Sequence, residues 1–370
     1  MTSNPGILIY VEDPGAANYV AHLPETFHQQ GWKTRLLAHG NAKTTLNNLN
    51  TPFESINGNV NSDAIFQSNK PTLVMVGTSE NPDTLGFELI KGAKKRNIEN
   101  VGIIDAFVNA PYRFRGRSDN ALHHAPNWLI VPDEWTKEAY INLDYDPSHI
   151  QVCGHPHYDK VYEISLQLKK ENRLEMRRQL LPSYQKNQKV VVLLAEISSG
   201  LNPQQFIKNN DYTLSGRGKS VRRTDIVIEE FLDAIQTLQT RPYLILRLHP
   251  KNKKEEFSNY LEDFDYVSNS GSPLELIYTA DLVVGMTTIL LLEAAIIGCS
   301  TLSIVPRKSE KKWLPTIRSG MTHCATTRKE VKKKLSNLLR DYQKTSQSNV
   351  SNIVTLNSLN IMVEFIRNFF

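Results

Sequence analysis

The stretch that most limits what this chain can become is Thr279 to Pro306, TADLVVGMTTILLLEAAIIGCSTLSIVP. Leu282 to Val284 is a short apolar run and Gly285 a turn. Thr287 to Ile297 has helix length, Gly298 is a stop, and Thr301 to Val305 is a second apolar run. Strand, short loop, helix, glycine and strand make one βαβ unit of a parallel sheet. Open α/β sheets bind ligands at the loop ends of such strands. Thr287 and Thr288 stand where the helix begins. Free backbone N–H groups and the positive end of the helix dipole favour an anion there. An equally simple reading makes one threonine only an N-cap.

The same alternation fills the chain. Ile7 to Val11 is a near-continuous apolar run, as in strands buried on both faces, and it ends in EDPGAAN. A helix is expected over Ala17 to Gln30, then the strand KTRLLAHG. Further strands are TLVMVGT, VGIID ending at Asp105, NWLIVPDE and HIQVCGHP, with a helix from Asp83 to Arg96. The segment between Ala106 and Asn127 is long, polar and basic, and carries Arg113, Arg115, Arg117, His123 and His124. Loops of that length are usually functional or mobile; the alternative is a plain surface excursion. A charged helix over Ser165 to Leu180 and the turn-rich LPSYQKNQ precede KVVVLLAE, where the strand pattern restarts. YLILRLHPKN and the opening stretch continue it, and LNSLNIMVEFIRNFF closes the chain as an amphipathic helix. The expectation is an α/β protein of two Rossmann-like domains, 1–165 and 166–352, with a final helix over about 353–370.

At 370 residues the chain suits two domains of ordinary size. No run approaches the roughly 20 apolar residues of a membrane span, and MTSNPGILIY has no signal-peptide pattern. Cys153, Cys299 and Cys324 form no close pair, which suits structural thiols in a reducing, cytoplasmic setting. The net charge of +5 is concentrated in expected helices. It gives at most a weak pull toward anionic ligands or the anionic inner face of a membrane. No zinc-finger spacing or aromatic RNP pattern points to nucleic acid. There is no G-x-G-x-x-G after the first strand, and SGRGKS fails the phosphate-loop spacing, so it reads as a flexible basic loop.

Chemistry-bearing residues gather at strand ends. In the second half these are Ser198 and Ser199; Arg247 and His249; and Thr287 and Thr288, with Glu293 in the following helix. Arginine offers a forked donor to phosphate, and histidine can protonate a leaving group near neutral pH. An unpartnered carboxylate inside ILLLEAAII would be costly, so Glu293 should have a polar task, either ribose hydroxyls or a basic neighbour. Together these describe a nucleotide site. The first half offers Glu12, Asp13, Asn18 and Asp105, carboxylates and an amide suited to a general base and a hydroxyl-rich ligand. No D-x-D motif stands in a convincing place, so no metal is expected.

Those residues carry a resemblance. The segment ADLVVGMTTILLLEAAIIGCSTLSIVP resembles the donor-binding βαβ unit of GT-B glycosyltransferases, in which an acidic residue at the position of Glu293 holds the ribose. With RLHPKN it resembles the HP and SS motifs of bacterial polysialyltransferases, capsule Kdo transferases and CDP-glycerol-type polymerases. His249-Pro250 matches the first motif, and Thr287-Thr288 stand in place of the serine pair. GHPHYD resembles the G-x-P-x-x-D linker of GT-B and UDP-N-acetylglucosamine 2-epimerase sequences. The resemblance implies two Rossmann-like domains facing a cleft. The first would take the acceptor and the second the donor, and the last helix would return to the first. It implies a metal-independent, inverting glycosyltransferase with a nucleotide sugar as co-substrate and a hydroxyl acceptor, in surface-glycan or secondary-metabolite synthesis. The rivals are a nucleotide-sugar 2-epimerase or hydrolase of the same fold and a non-catalytic nucleotide-sugar-binding protein. Glu12, Asp13 and Asp105 are the candidate bases of the transferase; the non-catalytic rival would have lost its base.

Overall fold

A computed structural model describes residues 6–57, 60–79, 81–197, 203–340 and 355–370. The chain forms two compact units, Met1–Lys160 with Val354–Phe370, and Val161–Ile353.

The first unit runs β1 (Gly6–Val11), α1 (Pro14–Val20), α2 (Leu23–Gln29), β2 (Lys33–Ala38), α3 (Ala42–Asn48), β3 (Glu54–Ser55), α4 (Ser62–Asn69), β4 (Leu73–Gly77), α5 (Leu85–Lys95), β5 (Glu99–Ile103), β6 (Trp128–Val131), α6 (Glu134–Ile141) and β7 (Ile150–Val152). Its parallel sheet has the order β3-β2-β1-β4-β5-β6-β7. Both faces are covered, which is why β1 is apolar throughout. Ile7, Ile9 and Val11 meet one core with residues of α1, α2 and α3, while Leu8 and Tyr10 meet the other with residues of α4 and α5. The helix expected over Ala17 to Gln30 is two helices. Pro24 lies in the first turn of α2, where its missing N–H costs nothing, whereas inside a continuous helix it would break the ladder.

Helix α7 (Pro156–Leu168) carries the chain out of the first unit. The second continues with α8 (Arg173–Leu180), β8 (Val190–Leu194), α9 (Arg223–Ile235), β9 (Tyr243–Arg247), β10 (Tyr266–Ser268), α10 (Pro273–Thr279), β11 (Leu282–Gly285), α11 (Ile289–Ile297), β12 (Thr301–Ile304), α12 (Pro315–Arg318), β13 (His323–Ala325) and α13 (Arg328–Arg340). Its parallel sheet has the order β10-β9-β8-β11-β12-β13. Val191, Leu193, Leu244, Leu246, Leu282, Val284, Leu302 and Ile304 pack one face against α9 and α13. The single charged helix expected over Ser165 to Leu180 is divided between α7 and α8, because Asn172 accepts the N–H groups of Leu174 and Glu175 at 3.0 and 3.3 Å and starts a new helix.

The last helix, α14 (Ser358–Arg367), belongs to the first unit. It lays Met362, Val363, Phe365 and Ile366 into the core behind β1. The GHPHYD segment fastens it. Asp159 accepts the N–H groups of Asn357 and Ser358 at 3.1 and 2.7 Å, satisfying donors at the helix start. Gly154 has φ +81°, and a Cβ there would collide with Thr355 O and Ser358 Oγ. Only glycine fits that backbone and that approach.

Candidate functional site

In each sheet the strand order reverses once, between β1 and β4 and between β8 and β11. The carboxyl ends of strands beside such a reversal are where open α/β sheets hold ligands.

In the second unit, Glu196 follows β8 and Thr287 follows β11, and the two are joined across the reversal. The Thr287 N–H donates to Glu196 Oε1, and the Thr287 hydroxyl lies 3.4 Å from Oε2. Arg223 at the start of α9 donates to Glu196 Oε2 at 2.7 Å and to Glu310 Oε2 at 3.0 and 2.5 Å. Arg307 donates to Glu310 Oε1 at 2.5 Å and faces the Tyr212 and Trp313 rings. All four charged groups are buried. Two carboxylates around Arg223 keep its guanidinium firmly charged despite burial.

Residues that follow β9 complete this edge. The Asn252 side chain donates to Glu196 O at 3.3 Å and accepts the His249 N–H at 3.0 Å. Lys251 N–H donates to His249 Nδ1 at 3.1 Å, which fixes the imidazole proton on Nε2. Burial, then Lys251, lower the pKa of His249, against an opposing pull from Glu196. His249, Thr287 and Glu196 therefore share one strand edge.

Other expected donors have different tasks. Arg247 donates to Ser268 Oγ at 2.7 Å and to the carbonyls of Ser270 and Gly271, tying down the loop after β10. Its Nη1 and Nη2 thus have partners inside the protein. Thr288 is the N-cap of α11, its Oγ1 accepting Leu290 N–H. Both hydroxyls thus precede the helix, so Glu293, buried in mid-helix, need not share a stripe with them. Ser198 and Ser199 lie outside the described residues. The SGRGKS loop turns its backbone donors onto α9: Gly216 N–H to Glu230 Oε1 at 2.9 Å and Arg217 N–H to Glu229 Oε2 at 2.6 Å. Two internal carboxylates occupy what resembled a phosphate loop.

In the first unit, Glu12 is committed to holding loops together. It accepts from the Tyr10 hydroxyl at 3.1 Å, Asn81 Nδ2 at 2.7 Å and Thr84 Oγ1 at 2.5 Å. Three donors on one buried carboxylate suit a strut between β1 and the β4–α5 loop. Asp13 is the N-cap residue of α1, and Asn18 lies half-buried on that helix. Asp105 follows β5, and its Oδ1 is 3.0 Å from Arg113 Nη1. Arg113 is itself buried, donating to Thr78 Oγ1 at 3.0 Å and to Val108 O at 3.1 and 3.3 Å. Much of the Ala106–Asn127 segment thus folds back on the strand edge: Phe114 is in the core, and His124 stacks on Phe87 at 4.2 Å.

The sequence reading passed over Glu196, Arg223, Arg307 and Glu310. One signal was available. Glu196 ends the apolar run VVVLLA as Glu12 ends ILIYV, and a charge at the end of a doubly buried strand lies at the ligand edge. Arg223 carried none, because its role is set by contacts 27 to 87 residues apart.

No protein-family model matches the chain, and no curated protein matches it. Among solved structures it is similar to the UDP-GlcNAc 2-epimerase of Neisseria meningitidis bound to UDP-GlcNAc. The TM-score is 0.65 at 14% identity, covering 98% of this chain and 99% of that one. The UDP-GlcNAc 2-epimerase of Methanocaldococcus jannaschii gives 0.67 at 15%, with 98% and 99% covered. HepE of Anabaena, solved with UDP and glucose, gives 0.62 at 12%, with 99% of each chain covered. Identities this low speak for the fold alone: two Rossmann-like domains with parallel sheets, of the GT-B type.

Proposed function

We propose that this protein acts on a nucleotide sugar, and that the reaction takes place on the donor itself, as 2-epimerisation or hydrolysis. The observation that carries the reading is the end-to-end likeness in fold to UDP-GlcNAc 2-epimerases. This reading replaces the acceptor-dependent transferase expected from the motifs. That expectation rested on the His249-Pro250, Thr287-Thr288, Glu293 and GHPHYD resemblances; of the threonine pair, Thr287 is engaged by Glu196 and Thr288 caps α11.

Inversion at C2 of a sugar needs a base to remove the C2 proton and an acid to return one to the opposite face. As the C2 proton leaves, the C1–O bond to the diphosphate breaks and a C1=C2 double bond forms; return of a proton to the opposite face of C2 and of the diphosphate to C1 gives the epimeric nucleotide sugar. Asp105 is the proposed base, with its Oδ1 3.0 Å from Arg113 Nη1. His249, with its proton on Nε2, is the proposed donor to the leaving diphosphate. Glu293 is the proposed ribose partner, and Asp13 and Asn18 are proposed contacts to the sugar hydroxyls. In hydrolysis, water takes the anomeric carbon and the nucleotide leaves.

The test is to incubate the full chain with UDP-GlcNAc and with other UDP-, CMP- and GDP-sugars, without acceptor, and to follow the sugar signals by proton NMR. A C2 epimer or free nucleotide is expected. A donor that is stable alone but consumed when a hydroxyl acceptor is added would establish transfer instead. A nucleotide that raises the melting temperature with no donor turned over, with or without acceptor, would make the protein a non-catalytic binder.

A further inference from the structure

Gly15 is out of place by local rules. It occupies the first turn of α1, between Pro14 and Ala16, with no left-handed backbone to require it. Glycine is a poorer helix former than alanine. The reason lies across the sheet edge, because a Cβ on Gly15 would overlap Asp105 Oδ2. The other oxygen, Oδ1, is 3.0 Å from Arg113 Nη1. Arg113 is fixed in turn by Thr78 after β4 and by Val108 O. The carboxylate is therefore held between a guanidinium on one side and the bare Cα of Gly15 on the other.

We propose that Gly15 is a positioning residue for Asp105: its missing side chain is the seat that lets the carboxylate lie over α1 in the one orientation Arg113 also holds. The catalytic half of this inference rests on Asp105 being the base of the donor reaction; the contact itself does not. An alanine methyl at position 15 would turn the carboxylate out of its seat without disturbing the core, since the obstructing atom is the end of a side chain rather than backbone.

Two measurements separate the contact from the chemistry. The first is a double-mutant cycle in melting temperature on the full chain, with Gly15→Ala, Asp105→Ala and the double variant. With Asp105 removed, Gly15→Ala should show the gain of a better helix former, about 2 °C; with Asp105 present that gain should be absent or reversed. An equal effect in both backgrounds overturns the seat. The second is turnover of the nucleotide sugar. Gly15→Ala should lower kcat about tenfold or more with KM little changed, and should add nothing in an Asp105→Asn background. Full kcat in Gly15→Ala, with Asp105→Asn inactive, overturns the positioning role and leaves the base in place. Full turnover in Asp105→Asn overturns the assignment of the base, and with it the catalytic half of the proposal, while the melting cycle still decides the contact.

Discussion

Arg223 shows how costly a single residue can become once its neighbours are fixed. It compensates Glu196 and Glu310, and all three are buried. Replacing it by methionine takes the cation from Glu196 and leaves Glu310 with Arg307 alone, and such a loss runs to about 3–5 kcal/mol; urea denaturation should show it. Tyr140 is the opposite case. Its hydroxyl is buried with no hydrogen-bond partner among the described residues, a situation costing about 1–3 kcal/mol. Tyr140→Phe should therefore raise the urea midpoint with an unchanged slope. His155 sets a pH dependence. It is buried between the Tyr19 and Tyr158 rings, and burial, with His157 beside it, holds its pKa well below the ordinary value. The unfolded chain takes up that proton near pH 6.5 while the folded one does not. Stability is thus fully present above about pH 6.5 and falls with pH through the window below it, by about 1.4 kcal/mol per pH unit for one group. His155→Asn, whose Oδ1 can still accept His157 N–H as Nδ1 does, should flatten that slope by one proton. At this scale the sequence shows which residue types stand at the strand ends, while the partners they take come from tertiary packing. Arg247 and Glu12 carry ordinary donor and acceptor chemistry, and only their neighbours reveal that it is already used internally.

Among the elements, α11 was the most legible. Its threonines, apolar run and Gly298 stop agree with one another, and in the structure Thr288 is the N-cap and Gly298 takes the left-handed turn at φ +92°. The long segment after Asp105 was the least legible, because its order comes from Phe114 and Arg113 reaching residues of other strands and helices rather than from any local period. GHPHYD lies between the two. It was readable as a motif, but its action on α14 depends on residues almost 200 positions later. Asp159→Ala removes the acceptor of two N–H groups at the start of α14 and should cost about 1 kcal/mol. Amide exchange across Ser358–Arg367 should then quicken roughly fivefold or more, with the second unit unchanged.

For the whole molecule, each unit has its own sheet and core, and the chain leaves the first unit only to finish in it. Deleting residues 355–370 uncovers the core positions of Met362, Val363, Phe365 and Ile366. At roughly 1.5–3 kcal/mol for each buried side chain, that loss is on the scale of a domain's entire stability. The first unit should lose its cooperative transition while the second keeps its own, as hydrogen exchange resolved by segment would show. The sequence by itself determined the class of fold. Apolar runs of strand length, alternating with helix-length segments, can bury both of their faces only in parallel sheets covered on each side, and that information is local. Tertiary structure alone decided strand order, and so which strand ends share an edge. It also decided which charged groups spend their hydrogen bonds on one another. Those pairings join residues tens to hundreds of positions apart, and no local pattern records them. They placed Glu196 against Thr287 and turned Arg247 and Glu12 toward partners inside the protein.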